Sequence, residues 1–329
     1  MRYETKTLVQ QMLDGNVAAL ASVITLIENE TEEVVDIIKH IYPRLGNAYR
    51  IGITGPLGAG KSTLIDKLST MIRSGDQTIG IICVDPSSPF SGGAVLGDRI
   101  RMKQHYLDDQ VFIRSMANRG SLGGLPRTVG NVIKLLDAFG KDLILVETVG
   151  VGQAELDIMQ NVDTVVVVLV PEAGDSIQAM KAGLLESADI IAVNKTDRPG
   201  ADAMVEDIKN MLIMAPRNDW WQIPVVATEA LENKGITELY NLIESHRKVM
   251  QDTKKLSERR QGQRYYEFIE TLKYQLALSL WEAAEKDENL ASYVAKVKNG
   301  EVDPYVAADY CIATLKKWEA SSKVAKIPD

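Results

Sequence analysis

Residues 50–63 read RIGITGPLGAGKST, and this stretch decides the fold. Its first five residues form a short β-rich run, and Gly55–Ser62 then matches the pattern GxxxxGK[ST], with Thr63 directly after it. Glycines in such a loop let backbone N–H groups curl around a phosphate, and the following helix directs the positive end of its dipole at the anion. The stretch therefore predicts a strand, a phosphate-binding loop and a helix from Lys61 to about Ser74.

The pattern also assigns chemistry to the residues of this loop. We expect Lys61 to reach the β- and γ-phosphate oxygens, and the Ser62 hydroxyl to ligate Mg²⁺. The residues predicted to contact the nucleotide phosphates are Gly55, Pro56, Leu57, Gly58, Ala59, Gly60, Lys61, Ser62 and Thr63.

Outward from the loop, short β-rich runs alternate with helical stretches as far as about Arg247. This alternation predicts an α/β fold with a mostly parallel sheet and helices on both faces. The predicted strands are Arg50–Thr54, Thr78–Val84, Val111–Arg114, Leu143–Glu147, Thr164–Val170, Ile190–Val193 and Pro224–Ala227.

A guanine-reading motif follows the sixth of these strands, in the order Asn194, Lys195, Thr196, Asp197. The Asp197 carboxylate can accept hydrogen bonds from guanine N1–H and its exocyclic amino group, which adenine does not offer in that arrangement. We expect Lys195 to pack over the ring and Asn194 to tie its loop to the phosphate loop. A wrong base would leave buried polar groups unpaired, so the motif predicts strong selection for GTP and GDP.

A second base contact is expected after the seventh strand. There Thr228, Glu229 and Ala230 occupy the place where GTPases offer a backbone N–H to guanine O6.

Glu147 and Gly150 stand where GTPases usually carry DxxG, with Glu147 replacing the aspartate. This motif predicts that Glu147 bonds a water on Mg²⁺ and that the Gly150 N–H bonds the γ-phosphate. Val151 replaces the glutamine that orients the attacking water in many signalling GTPases, which predicts slow intrinsic hydrolysis. Gln153 is an alternative for positioning the water, and a structural role for it is equally open.

Two further carboxylates are candidates for Mg²⁺, which prefers oxygen ligands. Asp85 follows the second predicted strand, and Asp98 lies in the glycine-rich loop Ser91–Arg99. Asp98 could instead be a helix N-cap. The glycines would let the loop change shape with the γ-phosphate.

The predicted nucleotide domain spans residues 47–250 and is flanked by helical extensions at residues 1–46 and 251–329. In the first extension, Thr31 is expected to be the N-cap of a second helix. In the second, helices are predicted over Tyr265–Ala284 and Tyr305–Trp318. An apolar stripe of Leu272, Leu276 and Leu280 predicts a symmetric dimer through this tail.

Composition narrows the function classes. The chain has 329 residues and a net charge of −8, which argues against general nucleic-acid binding. No apolar run approaches the length of a membrane span, and no signal core is visible, so a cytoplasmic protein is expected. The two cysteines, Cys83 and Cys311, predict free thiols. The three histidines are expected at the surface or the edge of the core, and the Trp220–Trp221 pair in packing or an interface.

Taken together, the motifs resemble those of the MeaB/ArgK GTPases, chaperones of adenosylcobalamin-dependent acyl-CoA mutases. The resemblance rests on ordered segments over about residues 50–240: GITGPLGAGKSTLID, VDPSSPFSGGAVLGDRIRM, ETVGVGQAELDI, AGDSIQAMKAGLLESADIIAVNKTD and ATEALENKGI.

The resemblance implies a homodimer formed by the C-terminal helices, a mutase partner, gating of its cofactor loading, and its protection or repair. It also implies that Asp85, Asp98 and Glu147 lie beside the metal, and that Glu172–Gly183 is a switch that senses the partner. Two departures from the family pattern are Glu172, where glycine is more usual, and Thr228-Glu229-Ala230, where Thr-Ser-Ala is commoner.

Two other functions fit the sequence less well. A nickel-insertion GTPase would need a cluster of His or Cys to carry the metal, and the sequence shows none. A kinase-like transport ATPase would need an acceptor site and an oriented base, and neither is identifiable. The acyl-CoA substrate of the partner mutase stays open.

Overall fold

The computed structural model describes residues 2–85, 102–117, 127–148, 157–171, 187–214, 220–286 and 288–321. The chain divides into two compact units, Met1–Arg260 and Gln261–Asp329.

The first unit is built on a parallel sheet, which has seven strands within the described residues. The strands are β1 (Tyr49–Thr54), β2 (Ile79–Asp85), β3 (Val111–Ala117), β4 (Leu143–Glu147), β5 (Thr164–Leu169), β6 (Ile190–Asn194) and β7 (Val225–Thr228). Their order across the sheet is β3-β2-β4-β1-β5-β6-β7, and every neighbouring pair is parallel. The predicted fold class is confirmed, and all seven predicted strands are present, each with its ends no more than three residues from the expected positions.

The central strands are buried on both faces because helices cover both sides of the sheet. In β5, Val165 and Val167 belong to one hydrophobic core, whereas Val166 and Val168 belong to the other. Side chains alternate between the faces of a strand, so a continuous valine run supplies both cores.

Seven helices of the described chain lie wholly within the first unit. They are α1 (Tyr3–Leu13), α2 (Val17–Glu28), α3 (Val34–Ile41), α4 (Lys61–Arg73), α5 (Arg127–Ala138), α6 (Ala201–Met214) and α7 (Ile236–Asp252). The first core joins α1, α2, α3, α5 and α6, and the second joins α4 and α7. The N-terminal helices thus share a core with one face of the sheet, and the helix predicted after the phosphate loop is α4.

The N-terminal connection is fixed by Asp137 at the end of α5. Its buried carboxylate accepts hydrogen bonds from the backbone N–H groups of Gly46, Asn47 and Ala48 at 2.6–3.1 Å. These bonds hold the entry to β1 against the helix that covers it.

Thr31 is not the N-cap of α3, and this prediction was wrong. The residue before α3 is Glu33, which makes no side-chain cap. Thr31 lies one turn earlier, and its carbonyl oxygen, not its hydroxyl, accepts the N–H of Val34 at 3.1 Å.

Another helix, α8 (Lys255–Lys286), begins ten residues before the expected Tyr265 and continues into the second unit. The second unit also contains α9 (Glu288–Lys298), which was not predicted, and α10 (Pro304–Ser321), which was. Tyr293 of α9 stacks on Tyr310 of α10 with ring centroids 4.0 Å apart. None of the helices that the structure describes combines the length and apolar character needed to cross a bilayer.

Candidate nucleotide-binding site

The loop between β1 and α4 is a tight turn whose shape requires glycine at two points. Gly55 and Gly60 have φ values of +141° and +90°, a region that residues with a side chain rarely adopt. A Cβ on Gly55 would overlap the carbonyl oxygen of Val168, and one on Gly60 would overlap the side chain of Asn194. The loop can therefore lie this close to β5 and to the end of β6 only because these residues have no side chain.

Lys61 is folded back onto this loop. Its ammonium donates to the carbonyl oxygens of Gly55 at 2.8 Å and Pro56 at 3.0 Å, and the side chain is buried. The first turn of α4 thus presents a buried cation beside the helix N-terminus, an arrangement that attracts phosphate. Leu57 and Gly58 lie exposed at the tip, and Ala59 is buried beneath them.

Ser62, in the first turn of α4, and Glu147, at the end of β4, bring two oxygen groups together. The Ser62 hydroxyl donates to a Glu147 carboxylate oxygen at 2.8 Å, and both side chains are buried. A hydroxyl and a carboxylate are oxygen ligands of the kind that Mg²⁺ takes, so the pair fits the predicted metal site.

Asp85 is the last residue of β2, where its backbone pairs in register with Ala117. The neighbouring pair Cys83 and Glu147 lies in register between β2 and β4. The backbone of Asp85 therefore reaches the same sheet edge as Glu147.

Several predicted site residues lie outside the described residues: Asp98, Gly150, Val151, Gln153 and the segment Glu172–Gly183. Within the part of the chain that is described, no group of three or more His, Cys, Asp or Glu side chains is placed to hold a metal. The metal set of Ser62, Asp85, Asp98 and Glu147 thus stays a prediction.

Asn194 connects three segments at this edge of the sheet. Its amide nitrogen donates to the carbonyl oxygen of Ala59 at 2.8 Å. Its amide oxygen accepts from the Thr228 hydroxyl and from the Ala230 N–H, each at 3.1 Å. The link to the phosphate loop expected from the sequence is present, and the side chain also joins that loop to the end of β7.

The loop after β6 carries the residues expected to read the base. Lys195 has a φ of +60°, which is uncommon for a residue with a side chain and turns the chain away from the strand. The Thr196 N–H and hydroxyl both donate to the Thr228 carbonyl oxygen at 3.2 Å. Asp197 is exposed at the tip of this loop, where a base can reach it.

Two contacts of the site were missed from the sequence. Thr148, directly after Glu147, donates its hydroxyl to the Thr54 hydroxyl at 2.8 Å and its N–H to the Ile53 carbonyl oxygen at 3.1 Å. These bonds fix the end of β4 against the end of β1. The sequence shows a threonine after Glu147, but no local pattern indicates that its partner is Thr54, 94 residues earlier.

The second missed contact is the ion pair between Glu229 and Lys234 in the loop after β7, with 2.7 Å between Nζ and Oε2. The sequence marked Glu229 as unusual for the family but gave it no partner.

The histidines lie outside this constellation. His40 is exposed as expected, but His105 and His246 are buried. His246 packs against Trp221, with ring centroids 4.8 Å apart, and against Trp220. The prediction that the tryptophans serve packing is confirmed for this contact.

Comparisons with known proteins agree with this geometry. The sequence profile of a family described as Methylmalonyl Co-A mutase-associated GTPase MeaB matches residues 20–285. A putative GTPase of Pyrococcus abyssi is 48% identical over 312 residues, covering 94% of this chain and 96% of the relative. GTPase ArgK of Escherichia coli is 31% identical over 306 residues, covering 90% and 92%.

A crystal structure described as LAO/AO transport system kinase superposes with a TM-score of 0.70 at 24% identity. The match covers 96% of this chain and 99% of that one, and it supports the fold alone.

Proposed function

Because this chain belongs to the MeaB family of methylmalonyl-CoA mutase-associated GTPases, we propose that it is a GTP-hydrolysing chaperone of an adenosylcobalamin-dependent acyl-CoA mutase. In this role it gates cofactor loading and protects or reactivates the partner enzyme. The observation that carries the proposal is the family match over residues 20–285. Guanine-nucleotide binding follows from membership of a GTPase family, whereas the mutase as partner is the proposed step.

The geometry supports GTP as the nucleotide. In the proposal, the phosphate loop from Gly55 to Thr63 surrounds the phosphates and Lys61 leaves its two carbonyl partners for phosphate oxygens. Asp197 accepts hydrogen bonds from guanine, and Lys195 packs over the ring. Asn194 keeps the two loops in register.

The oxygen groups of Ser62, in the first turn of α4, and of Glu147, at the end of β4, suit Mg²⁺. Ser62 and Glu147 would hold it or its waters, together with Asp85 and Asp98. When bound, Mg²⁺ neutralises charge on the phosphates in the transition state. Within the chain itself, Lys61 and the helix N-terminus contribute positive potential at the same place.

Slow hydrolysis in the free protein is part of the proposal. Neutralising the γ-phosphoryl charge is only half of the requirement, because a water must also be positioned. The residue at position 151 is valine, whose side chain cannot orient a water. The partner would complete the site by ordering the loop around Asp98 and the segment Glu172–Gly183.

The test is single-turnover GTP hydrolysis with and without methylmalonyl-CoA mutase loaded with adenosylcobalamin. We expect slow hydrolysis alone and a clear acceleration with the mutase. Lys61→Ala should abolish hydrolysis without unfolding the chain, and Asp98→Ala should weaken the Mg²⁺ dependence and the response to the mutase. Turnover of many per second by the free protein, with no response to the mutase, would contradict the proposal.

The proposed functional unit is a cytoplasmic homodimer. On α8, Tyr265, Phe268, Leu272 and Leu276 recur at helical spacing, and 43–67% of each side chain is exposed in the single chain. An apolar stripe of this size on a helix is typical of a buried interface. Neither Cys83 nor Cys311, both described in the structure, forms a disulfide, which suits a reducing compartment.

A further inference from the structure

The loop after β7 is closed by Glu229 and Lys234, whose side chains have no role in the proposed function. The backbones of Glu229 and Lys234 form an antiparallel bridge, with reciprocal N–H to carbonyl hydrogen bonds of 3.1 and 3.2 Å. Their side chains form the ion pair of 2.7 Å between Nζ and Oε2. The backbone bridge is enough to close the loop, so closure does not require the side-chain ion pair.

The Glu229–Lys234 pair lies beside the base-reading loop, because Thr196 donates its N–H and its hydroxyl to the carbonyl oxygen of Thr228 at 3.2 Å. Asp197 directly follows Thr196, and Glu229 directly follows Thr228. The hydrogen bond and the charge of Glu229 raise the pKa of Lys234, and the carboxylates of Glu232 and Asp197 act in the same direction. Lys234 is largely exposed and its side chain is long, so it can reorient when a partner is removed. Asp197 is therefore a competing partner for this cation, although it is the residue proposed to bind the base.

We propose that Glu229 is a positioning residue for base selection, because it holds the Lys234 ammonium away from the Asp197 carboxylate. The inference rests on the proposed role of Asp197 in reading guanine. With Glu229 present, both Asp197 oxygens face the base. Without the Glu229 carboxylate, the Lys234 ammonium pairs with either Glu232 or Asp197. When it pairs with Asp197, it occupies a carboxylate oxygen that would otherwise accept a hydrogen bond from guanine.

The chemistry of the base provides a specific readout. Guanine offers Asp197 two donors, N1–H and the exocyclic amino group, whereas hypoxanthine offers only N1–H. Blocking one carboxylate oxygen of Asp197 therefore weakens the binding of GDP more than the binding of IDP. A general loosening of the loop would weaken both nucleotides alike, so the ratio of the two affinities separates the two explanations.

The experiment measures GDP, IDP and ADP binding by calorimetry for the wild type, Glu229→Gln, Lys234→Gln and the double variant. We expect Glu229→Gln to weaken GDP binding about fivefold and to reduce the preference for GDP over IDP, because guanine must then displace Lys234 from a surface ion pair with Asp197. Lys234→Gln should bind GDP like the wild type. The double variant should recover affinity, because the competing cation is gone. High salt should reduce the difference between wild type and Glu229→Gln.

Two results would overturn the inference while leaving the guanine reader intact. One is unchanged GDP affinity and GDP-to-IDP ratio in Glu229→Gln; the other is a double variant that binds as weakly as Glu229→Gln. Equal affinity of the wild type for GDP and ADP would instead remove the proposed role of Asp197, and the inference with it. Thermal melts of each variant check that the fold is retained.

Discussion

At the scale of single residues, Asn194 is the side chain that joins two loops of the candidate site. Its amide nitrogen donates to Ala59 of the phosphate loop. Its amide oxygen accepts from Thr228, the last residue of β7, and from Ala230 just after that strand. The local motif predicts only the first of these contacts, because the strand order across the sheet is what brings β7 beside β6.

Asn194→Ala removes three buried hydrogen bonds and leaves the Ala230 N–H without this acceptor. We expect a loss of about 2 kcal/mol in GDP binding, near thirtyfold, because both loops lose their common support. Calorimetry measures the effect. Asn241→Ala, an exposed asparagine of α7, is the matched control and should bind as the wild type does. Wild-type affinity in Asn194→Ala would mean that the loops hold their positions without this side chain.

At the scale of secondary structure, strand positions were predictable because β1, β4, β5 and β6 are buried and strongly apolar. The start of α8 was not, because residues 254–260 look like a charged surface segment. In the structure, Arg259 makes two hydrogen bonds to Asp189 at 2.7 and 2.8 Å, and Arg260 makes two to Asp163 at 2.7 and 3.0 Å. These partners lie 70 and 97 residues away, beyond any local pattern.

Arg260→Ala should destabilise the first unit. Asp163 is fully buried, and its carboxylate is shared by Arg260 and Arg50. Removing one arginine leaves a buried charge partly uncompensated, at a cost of about 3 kcal/mol. Chemical denaturation followed by circular dichroism measures it. Arg264→Ala, an exposed arginine on the same helix, should change stability by less than about 0.5 kcal/mol.

If Arg260→Ala were no less stable than Arg264→Ala, the Asp163 cluster would not be an important support for the start of α8.

The Asp163 cluster also predicts that the free energy of unfolding falls in acid. Burial alone would raise the pKa of Asp163, but hydrogen bonds from Arg260 and Arg50 lower it below its usual value. A depressed pKa adds stability that is lost as the pH falls below about 4.

Burial of His246 predicts a second pH dependence of the free energy of unfolding, at milder acidity than that of Asp163. Its Nδ1 lies 2.8 Å from the Thr164 hydroxyl, and its ring is fully buried. Burial lowers its pKa from 6.5 to about 4, although the carboxylate of Asp189 acts in the opposite direction. Between these values the unfolded chain binds a proton that the folded chain does not, so stability falls as the pH falls from about 6.5 to about 4.

The full effect of His246 is about 3 kcal/mol, taking about 1.4 kcal/mol for each pH unit. Urea denaturation at several pH values measures the slope. His246→Gln should lose stability at neutral pH but become nearly independent of pH in this window. A slope that persists unchanged in His246→Gln would assign the effect to other groups.

At the scale of the whole molecule, the sequence predicted both the nucleotide-binding loops and the helical tail, but it predicted the loops in more detail. The phosphate loop and the guanine motif are local patterns with fixed spacing, so their residues could be named from the sequence. The tail showed only its apolar spacing. α9 was missed because Glu288–Lys298 is short and carries a weak apolar pattern.

The proposed dimer has its own test. Replacing Leu272 and Leu276 with glutamate puts charge into the exposed apolar stripe of α8, which should separate a dimer formed there. Sedimentation velocity at micromolar concentration should show a dimer for the wild type and a monomer for the double variant. Glu267→Gln and Glu270→Gln on the same helix serve as controls. A monomeric wild type would refute the assembly without affecting the nucleotide site.

Base selection by Asp197, in the loop after β6, is the central property of the proposed GTPase. The measurement is calorimetric binding of GDP, ADP and xanthosine diphosphate to the wild type and to Asp197→Asn. We expect the wild type to prefer GDP over ADP by about a thousandfold or more, since the wrong base leaves buried polar groups unpaired. Asp197→Asn should lose GDP affinity and gain xanthosine diphosphate affinity, because the amide can donate to the extra carbonyl of xanthine. Equal affinity of the wild type for GDP and ADP, or no change of preference in Asp197→Asn, would contradict the assignment.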